Sequence, residues 1–374
     1  MSFVHFALPN TMDVYTWNMG YDNIAKKGAD LVSAVKANPN VSDVLVFGFQ
    51  EISVMGFHSM AVRLKAAFAE YTVVASEKTC TLSSGFKSSF VIATIIFVRS
   101  SKVMHTRALP PYKDCKSITK GFVCIPIVIN NKVVNIINTH LPFNNDLQYF
   151  VKLFAKMLGV VSTEETTIIL GDLNSRSLIL DECYKKNVQY QCDMNDCNLA
   201  TQIKKLHTLP IDQTIKLPST VRSIHLPDTK VCGIQKNTLQ PGVQNDVFER
   251  FLKSMIQKDF LKLFLKRENT VATAQSQFMH ITNDMELTKS LLELKRKLKC
   301  YCESKIDFFP TYKRDVASGV FSLSKKEKGR LPGYADRVIY SDPSKMLQSN
   351  TYMSLAIQGN DHLPVLQRFK IKNV

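Results

Sequence analysis

Apolar and polar positions fall into two regimes along this chain. Up to about residue 180, short β-branched runs alternate with stretches whose apolar residues recur every three or four positions. "DVYTWN" (13–18) and "DVLVFGFQ" (43–50) predict strands, with a helix in "IAKKGADLVSAVKAN" between them. A second helix is predicted in "HSMAVRLKAAFAEY" (58–71). Strands follow in "SFVIATIIFVR" (89–99), "GFVCIPIVIN" (121–130), "KVVNIINTH" (132–140) and "TTIILGD" (166–172). The "NN" at 130–131 is a two-residue hairpin signal, and "DLQYFVKLFAKMLGVV" is a third helix. Strand texture returns in "KIDFFPTYK" (305–313), "DRVIYS" (336–341) and "LPVLQRFKI" (363–371). This mixture implies an α/β or α+β sandwich whose sheets are covered by helices.

Between about Asp181 and Ile281 the pattern loosens, with prolines in "LPI", "LPS" and "LPD" and then a basic helical stretch, "NDVFERFLKSMIQKDFLKLFLKREN". It reads as an elaboration inside one domain spanning 1–374. Its apolar positions, such as Phe248, Phe251, Met255 and Phe264, fall at roughly helical spacing among Lys253, Lys258 and Lys262. Such a helix either docks on an anionic membrane or partner, or packs on the sandwich with a solvated lysine face.

Composition narrows the class. With 374 residues, 45% hydrophobic and 21% charged, the chain is that of a soluble globular protein. Its longest apolar run, "FVIATIIFV", is too short to cross a bilayer, and the N-terminus lacks a secretory pattern, so a cytoplasmic protein is expected. Nine cysteines without paired zinc spacing read as reduced thiols, Cys300 and Cys302 among them. The formal charge of +16 predicts a polyanionic partner: nucleic acid, an anionic membrane surface or a phosphate-rich substrate.

Candidate chemistry sits where apolar strands stop. Asn18, Glu51, His140, Asp172 with Asn174, Asp336, and Asp361 with His362 all flank such runs. One carboxylate at a strand end is ordinarily a cap; the repetition points to a site. The residue types suit phosphate ester hydrolysis assisted by a divalent cation. Glu51 and Asn18 offer hard oxygens that suit Mg²⁺. His362 can donate to a phosphoryl group while Asp336 holds its other ring nitrogen. Asp172 can take a proton from water that Asn174 orients, with Gly171 letting the chain turn into the site.

The ordered set "TWN", "FQEI", "NTHL", "GDLNSR", "ADR" and "NDHLPV" resembles the exonuclease–endonuclease–phosphatase superfamily. "FFPTYKRD" (308–315), "KGRLPGYADRVIY" (328–340) and "ITKGFVCIPI" (118–127) are similar to motifs of one branch, the inositol polyphosphate 5-phosphatases. The resemblance implies a DNase I-like, four-layer αββα sandwich of two mixed sheets. It implies Mg²⁺ on Glu51 and Asn18, His140 and Asn174 on the scissile phosphate, and Asp172 as water activator. His362, backed by Asp336 and supported by Asp361, would stabilise the phosphorus centre. Tyr312, Lys313, Lys328, Arg330 and Arg337 would bind substrate, several at a 4-phosphate, where arginine grips in a bidentate way. Departures are Tyr334 for the usual Trp, Gly333 for Ala, and Ser175 for an aromatic.

The expected activity is removal of the 5-phosphate from phosphoinositides or soluble inositol phosphates, with peripheral contact to an anionic membrane and no nucleic-acid substrate. A nuclease or deadenylase, and a non-catalytic phosphoinositide-binding scaffold, are the alternatives. Nothing in the sequence bears on oligomeric state.

Overall fold

The computed structural model describes residues 8–20, 23–79, 90–114, 120–142, 147–174, 243–244, 293–294, 296–306, 308, 310–314, 316 and 333–373. The strands in chain order are β1 (Thr11–Asn18), β2 (Val44–Ser53), β3 (Tyr71–Lys78), β4 (Phe90–Arg99), β5 (Thr106–Ala108), β6 (Tyr112–Lys113) and β7 (Gly121–Ile129). They continue with β8 (Lys132–His140), β9 (Thr166–Asp172), β10 (Val243–Gln244), β11 (Glu303–Ser304), β12 (Asp336–Ser341), β13 (Leu347–Ser354) and β14 (Val365–Ile371). The helices are α1 (Ile24–Lys36), α2 (Val54–Ala67) and α3 (Leu147–Leu158).

Among the described residues two six-stranded sheets form, beside the two-stranded pair β10–β11. One runs β13-β14-β1-β2-β4-β3; the other runs β12-β9-β8-β7-β5, with β6 also on β7. Both are mixed, β1–β2 and β8–β9 being the parallel pairs. The unbroken apolar runs follow from burial on both faces. In β2, Val44 and Val46 enter the core between the sheets, while Leu45, Phe47 and Phe49 pack with Leu31 of α1 and Leu64 of α2. In the other sheet, Ile137 and Ile169 meet Phe150 and Phe154 of α3. The layers are therefore helix, sheet, sheet, helix.

At the hairpin, Asn130 and Asn131 take φ of 51° and 65°, as a tight turn between β7 and β8 requires. The second helix starts four residues earlier than its periodicity suggests, because the Ser53 hydroxyl accepts from the Gly56 amide at 2.9 Å and caps it. Strands β3 and β13 escape the pattern reading; both lie on a sheet edge, where half-exposed positions keep polar residues. The strand expected over 305–313 does not form among the described residues. That stretch, interrupted by Pro310, makes one isolated bridge, between Tyr312 and Gly333, among the described residues.

Cys124 and Cys302 are free and buried, whereas Cys300 is disulfide-bonded, which corrects the thiol expectation there. No helix among the described residues is long and apolar enough to cross a membrane. The basic stretch of the middle segment lies outside the described residues.

Candidate functional site

Parallel pairing of β1 with β2 and of β8 with β9 brings Asn18, Glu51, His140 and Asp172 to one end of the sandwich. The register places His140 opposite Asp172, and Asp172 opposite Asp336. Gly171 contributes by close approach rather than by a turn. The strand runs on through Asp172, and with φ of 148° a Cβ on Gly171 would collide with the Thr139 carbonyl.

Asp172 is the hub. Its Oδ2 accepts from Asn18 Nδ2 at 2.9 Å and lies 3.2 Å from His140 Nε2. Its Oδ1 accepts the Asn174 amide at 3.0 Å. Asn174, held at φ of 47°, also donates from Nδ2 to the Leu141 carbonyl at 2.7 Å. Burial alone would raise the Asp172 pKa, but His140, His362 and Lys120 outweigh it and hold the carboxyl well below the usual carboxylate range.

Across the site, His362 Nδ1 pairs with Asp336 Oδ2 at 2.8 Å. Burial would lower the imidazole, yet Asp336 first, then Asp172 and Asp361, raise it to about 10. Burial pushes Asp336 up, His362 opposing and Asp172 adding to the rise. The ring is aimed from three sides. Trp17 Nε1 donates to the His362 carbonyl at 3.1 Å, and the Tyr312 ring lies on the imidazole at 4.4 Å between centroids. Thr311 Oγ1 accepts the Asp336 amide at 3.2 Å.

Glu51 is the most open acid of this set, and its backbone is in the left-handed region at φ of 50°. The pairing of β2 with β4 slips between Phe49 and Ile52, and this bulge turns Glu51 inward. Asn138 braces the bulge from the other sheet, donating from Nδ2 to the carbonyls of Phe49 at 3.3 Å and Ala93 at 2.8 Å. Gln50 Nε2 closes the link by donating to Asn138 Oδ1 at 2.7 Å. Glu51 Oε1 lies 3.8 Å from His140 Nε2 and 4.0 Å from Lys120 Nζ.

These donors fit a hard divalent cation. Glu51 presents a half-open carboxylate, Asn18 adds an amide oxygen that also accepts the Gly20 amide at 3.2 Å, and the buried Asp336 Oδ1 has no hydrogen-bond partner. Asp172, Asp336 and His362 also hold ligand atoms within 4.8 Å of one another. Within that trio His362, raised to about 10, carries a proton on each ring nitrogen and is no ligand, which leaves the oxygens.

Sequence reading missed four contributors: Lys120, which hydrogen-bonds His140 Nε2; Asn138; Thr311; and Asn360, which donates to the Asn18 carbonyl at 2.6 Å. Lys120 was legible as the basic residue before a strand-opening glycine; the others look like ordinary buried polar groups. Arg337 is the correction. It follows Asp336 on β12 but is wholly buried, gripping Glu303 from Nε at 2.8 Å and from its second nitrogen, so it cannot reach substrate. Tyr312 adjoins His362 and Lys313 follows it in the chain, whereas Lys328 and Arg330 lie outside the described residues.

The model of endonuclease/exonuclease/phosphatase family 2 matches residues 261–368, the stretch that carries Tyr312, Lys313, Asp336 and His362. A probable inositol polyphosphate 5-phosphatase of Schizosaccharomyces pombe is 35% identical over 79 residues, covering 20% of this chain and 6% of that protein's length. The inositol polyphosphate 5-phosphatase domain of SPsynaptojanin, solved with inositol (1,4)-bisphosphate and calcium, superposes with a TM-score of 0.52 at 15% identity, over 97% of this chain and 84% of that one. A Cimex nitrophorin variant in its ferrous NO complex also scores 0.52, at 12% identity over 98% and 99% of the two chains. The fold is thus the DNase I-like αββα sandwich. Since one neighbour of that fold is described as a nitric oxide complex, the fold by itself does not specify hydrolysis.

Proposed function

We propose that this chain is a single-domain, Mg²⁺-dependent phosphomonoester hydrolase that removes the 5-phosphate from inositol phosphates, membrane phosphoinositides above all. The observation that carries this reading is the facing pair of Asp172, held ionised among His140, Asn18 and Asn174, and His362, held cationic by Asp336. A scaffold that only bound phosphate would have no use for a buried, ionised acid aimed at the same space. Tyr312 against His362, with Lys313 next in the chain, and the fission-yeast relative support an inositol phosphate over a nucleic acid.

Glu51 and Asn18 would hold the cation, which supplies charge neutralisation at the phosphate and a lowered water pKa. Asp172 serves as the acceptor that aims the attacking water. Its depressed pKa makes it a weak base, so it aims the water first and takes the water proton only as the new oxygen–phosphorus bond forms and the bond to the ring oxygen breaks, that oxygen leaving with a proton from solvent. Asn174 fixes that water and His140 the scissile phosphate. His362 donates from its remaining ring nitrogen to the phosphoryl oxygen as charge builds, with Asp336 anchoring the ring. Lys313, with Lys328 and Arg330, would grip the 4-phosphate. We place the protein in the cytoplasm with peripheral membrane contact.

The test is product identity. Phosphatidylinositol 4,5-bisphosphate and single-stranded DNA are each incubated with the protein, with and without Mg²⁺. The expected result is Mg²⁺-dependent release of phosphate leaving the 4-phosphate lipid, with DNA intact. DNA cleavage without phosphate release would replace this reading with the nuclease one.

A further inference from the structure

A second cationic recess lies outside the catalytic cluster. A cavity of about 370 Å³ opens between α2 and the outer edge of β3 and β6. Its floor is apolar, from Phe57 and Ala61, and its walls carry His58, Lys65, Lys78 and Lys113. One acid, Glu77, faces in, and Lys113 Nζ already claims it at 2.6 Å. Lys65 and Lys78 have no ion-pair partner among the described residues, so the recess carries unneutralised positive charge.

Its position ties it to the catalytic end. Helix α2 begins directly after the strand that carries Glu51. Lys113 pairs with Val123, two places into the strand that Lys120 precedes. Lys78 pairs with Ala93, whose carbonyl takes the Asn138 hydrogen bond beneath the Glu51 bulge. On the flank of the same helix, Met55 and Val62, seven residues and hence two turns apart, are 74% and 54% exposed. Lysines around an apolar recess, beside exposed apolar side chains, match the boundary of an anionic bilayer in both charge and polarity.

We propose that this recess binds the phosphate of an anionic lipid headgroup that is not the substrate, with Met55 and Val62 against the interface, so that the catalytic end faces the membrane. The inference rests on the lipid hydrolase reading for its purpose, but its test does not. Sedimentation with vesicles of phosphatidylcholine, alone or mixed with phosphatidylserine, reads binding without turnover. The full chain and a Lys65→Glu/Lys78→Glu variant are compared with Lys132→Glu/Lys372→Glu, two exposed lysines at the far end of the sandwich. Removing the two recess lysines should weaken binding to serine-lipid vesicles about tenfold or more, since each surface lysine contributes measurably there. The far-end pair should change it little. Equal losses from both pairs, or no binding by the unaltered chain, overturn the proposal. Where hydrolysis is detected, turnover of soluble inositol 1,4,5-trisphosphate should be unchanged in the recess variant; an equal fall there would make the recess part of the substrate site. Lys65→Gln/Lys78→Gln, with melting temperature as the folding check, repeats the comparison should charge reversal impair folding.

Discussion

Asp336 and Arg337 are neighbours on one strand, and each makes a buried ion pair, yet the two pairs are built for opposite ends. Arg337 grips Glu303 with two nitrogens, and the Tyr352 hydroxyl donates to Glu303 Oε1 at 3.1 Å. Every oxygen of that acid is spoken for, so the pair is fixed and chemically inert. Asp336 holds His362 through one oxygen only and leaves Oδ1 without a partner, while the imidazole keeps its second nitrogen for another acceptor. Saturation marks structure; an unfilled valence in a buried pair marks a place where something is meant to bind.

This contrast can be broken by substitution. The largest effect on rate should come from His362→Ala, which removes a charged donor to the phosphoryl group. Turnover per folded molecule should fall about 10²–10³-fold, and urea stability should fall with it because Asp336 is left buried without its partner. Glu303→Ala should cost stability alone. Leaving the Arg337 guanidinium buried and unpaired should cost about 3–5 kcal/mol in urea unfolding, with turnover per folded molecule nearly intact. Should Glu303→Ala remove activity without loss of stability, the structural assignment of that pair fails.

A pH profile sharpens the comparison. His362 is raised to about 10, so its charge and the stability of its pair are fully present below its unfolded value of about 6.5. Both are lost as pH rises through about 10, which predicts an alkaline fall in rate and stability in that window. Asp336→Asn removes the group that does most to raise it and should move the alkaline limb down by about 1–3 units. An unmoved limb would assign that titration to another group.

Strand ends are readable because function disturbs pattern. Asp172, Asn174 and His362 interrupt apolar runs where a fold needs only a turn, so they stand out in the amino-acid sequence alone. The two buried pairs do not separate this way. "ADR" places an acid and a base side by side, and nothing in the tripeptide says that one faces the site and the other the interior; that depends on strand alternation and on Glu303, 34 residues away. Asn138 is equally hidden, since a polar residue inside "NIINTH" acquires meaning only when a second sheet lies over it. Glu51 is visible as a residue but not as a conformation, because the bulge that turns it inward is a property of β2 against β4.

The smallest predicted effect concerns that brace. Asn138→Ala should cost about 1–3 kcal/mol by taking the partner from one Gln50 N–H and the side-chain donor from two carbonyls. It should also weaken Mg²⁺ binding measured by calorimetry more than Thr94→Ala, a buried polar change beside it that touches no bulge carbonyl. Equal losses would reduce Asn138 to packing.

The central claim is most directly tested by phosphate release from phosphatidylinositol 4,5-bisphosphate in Mg²⁺, comparing the unaltered chain with Asp172→Asn after both show matching melting curves. The account predicts turnover in the first and a loss of at least about 10²-fold in the second. Turnover that survives the Asp172→Asn change would contradict it.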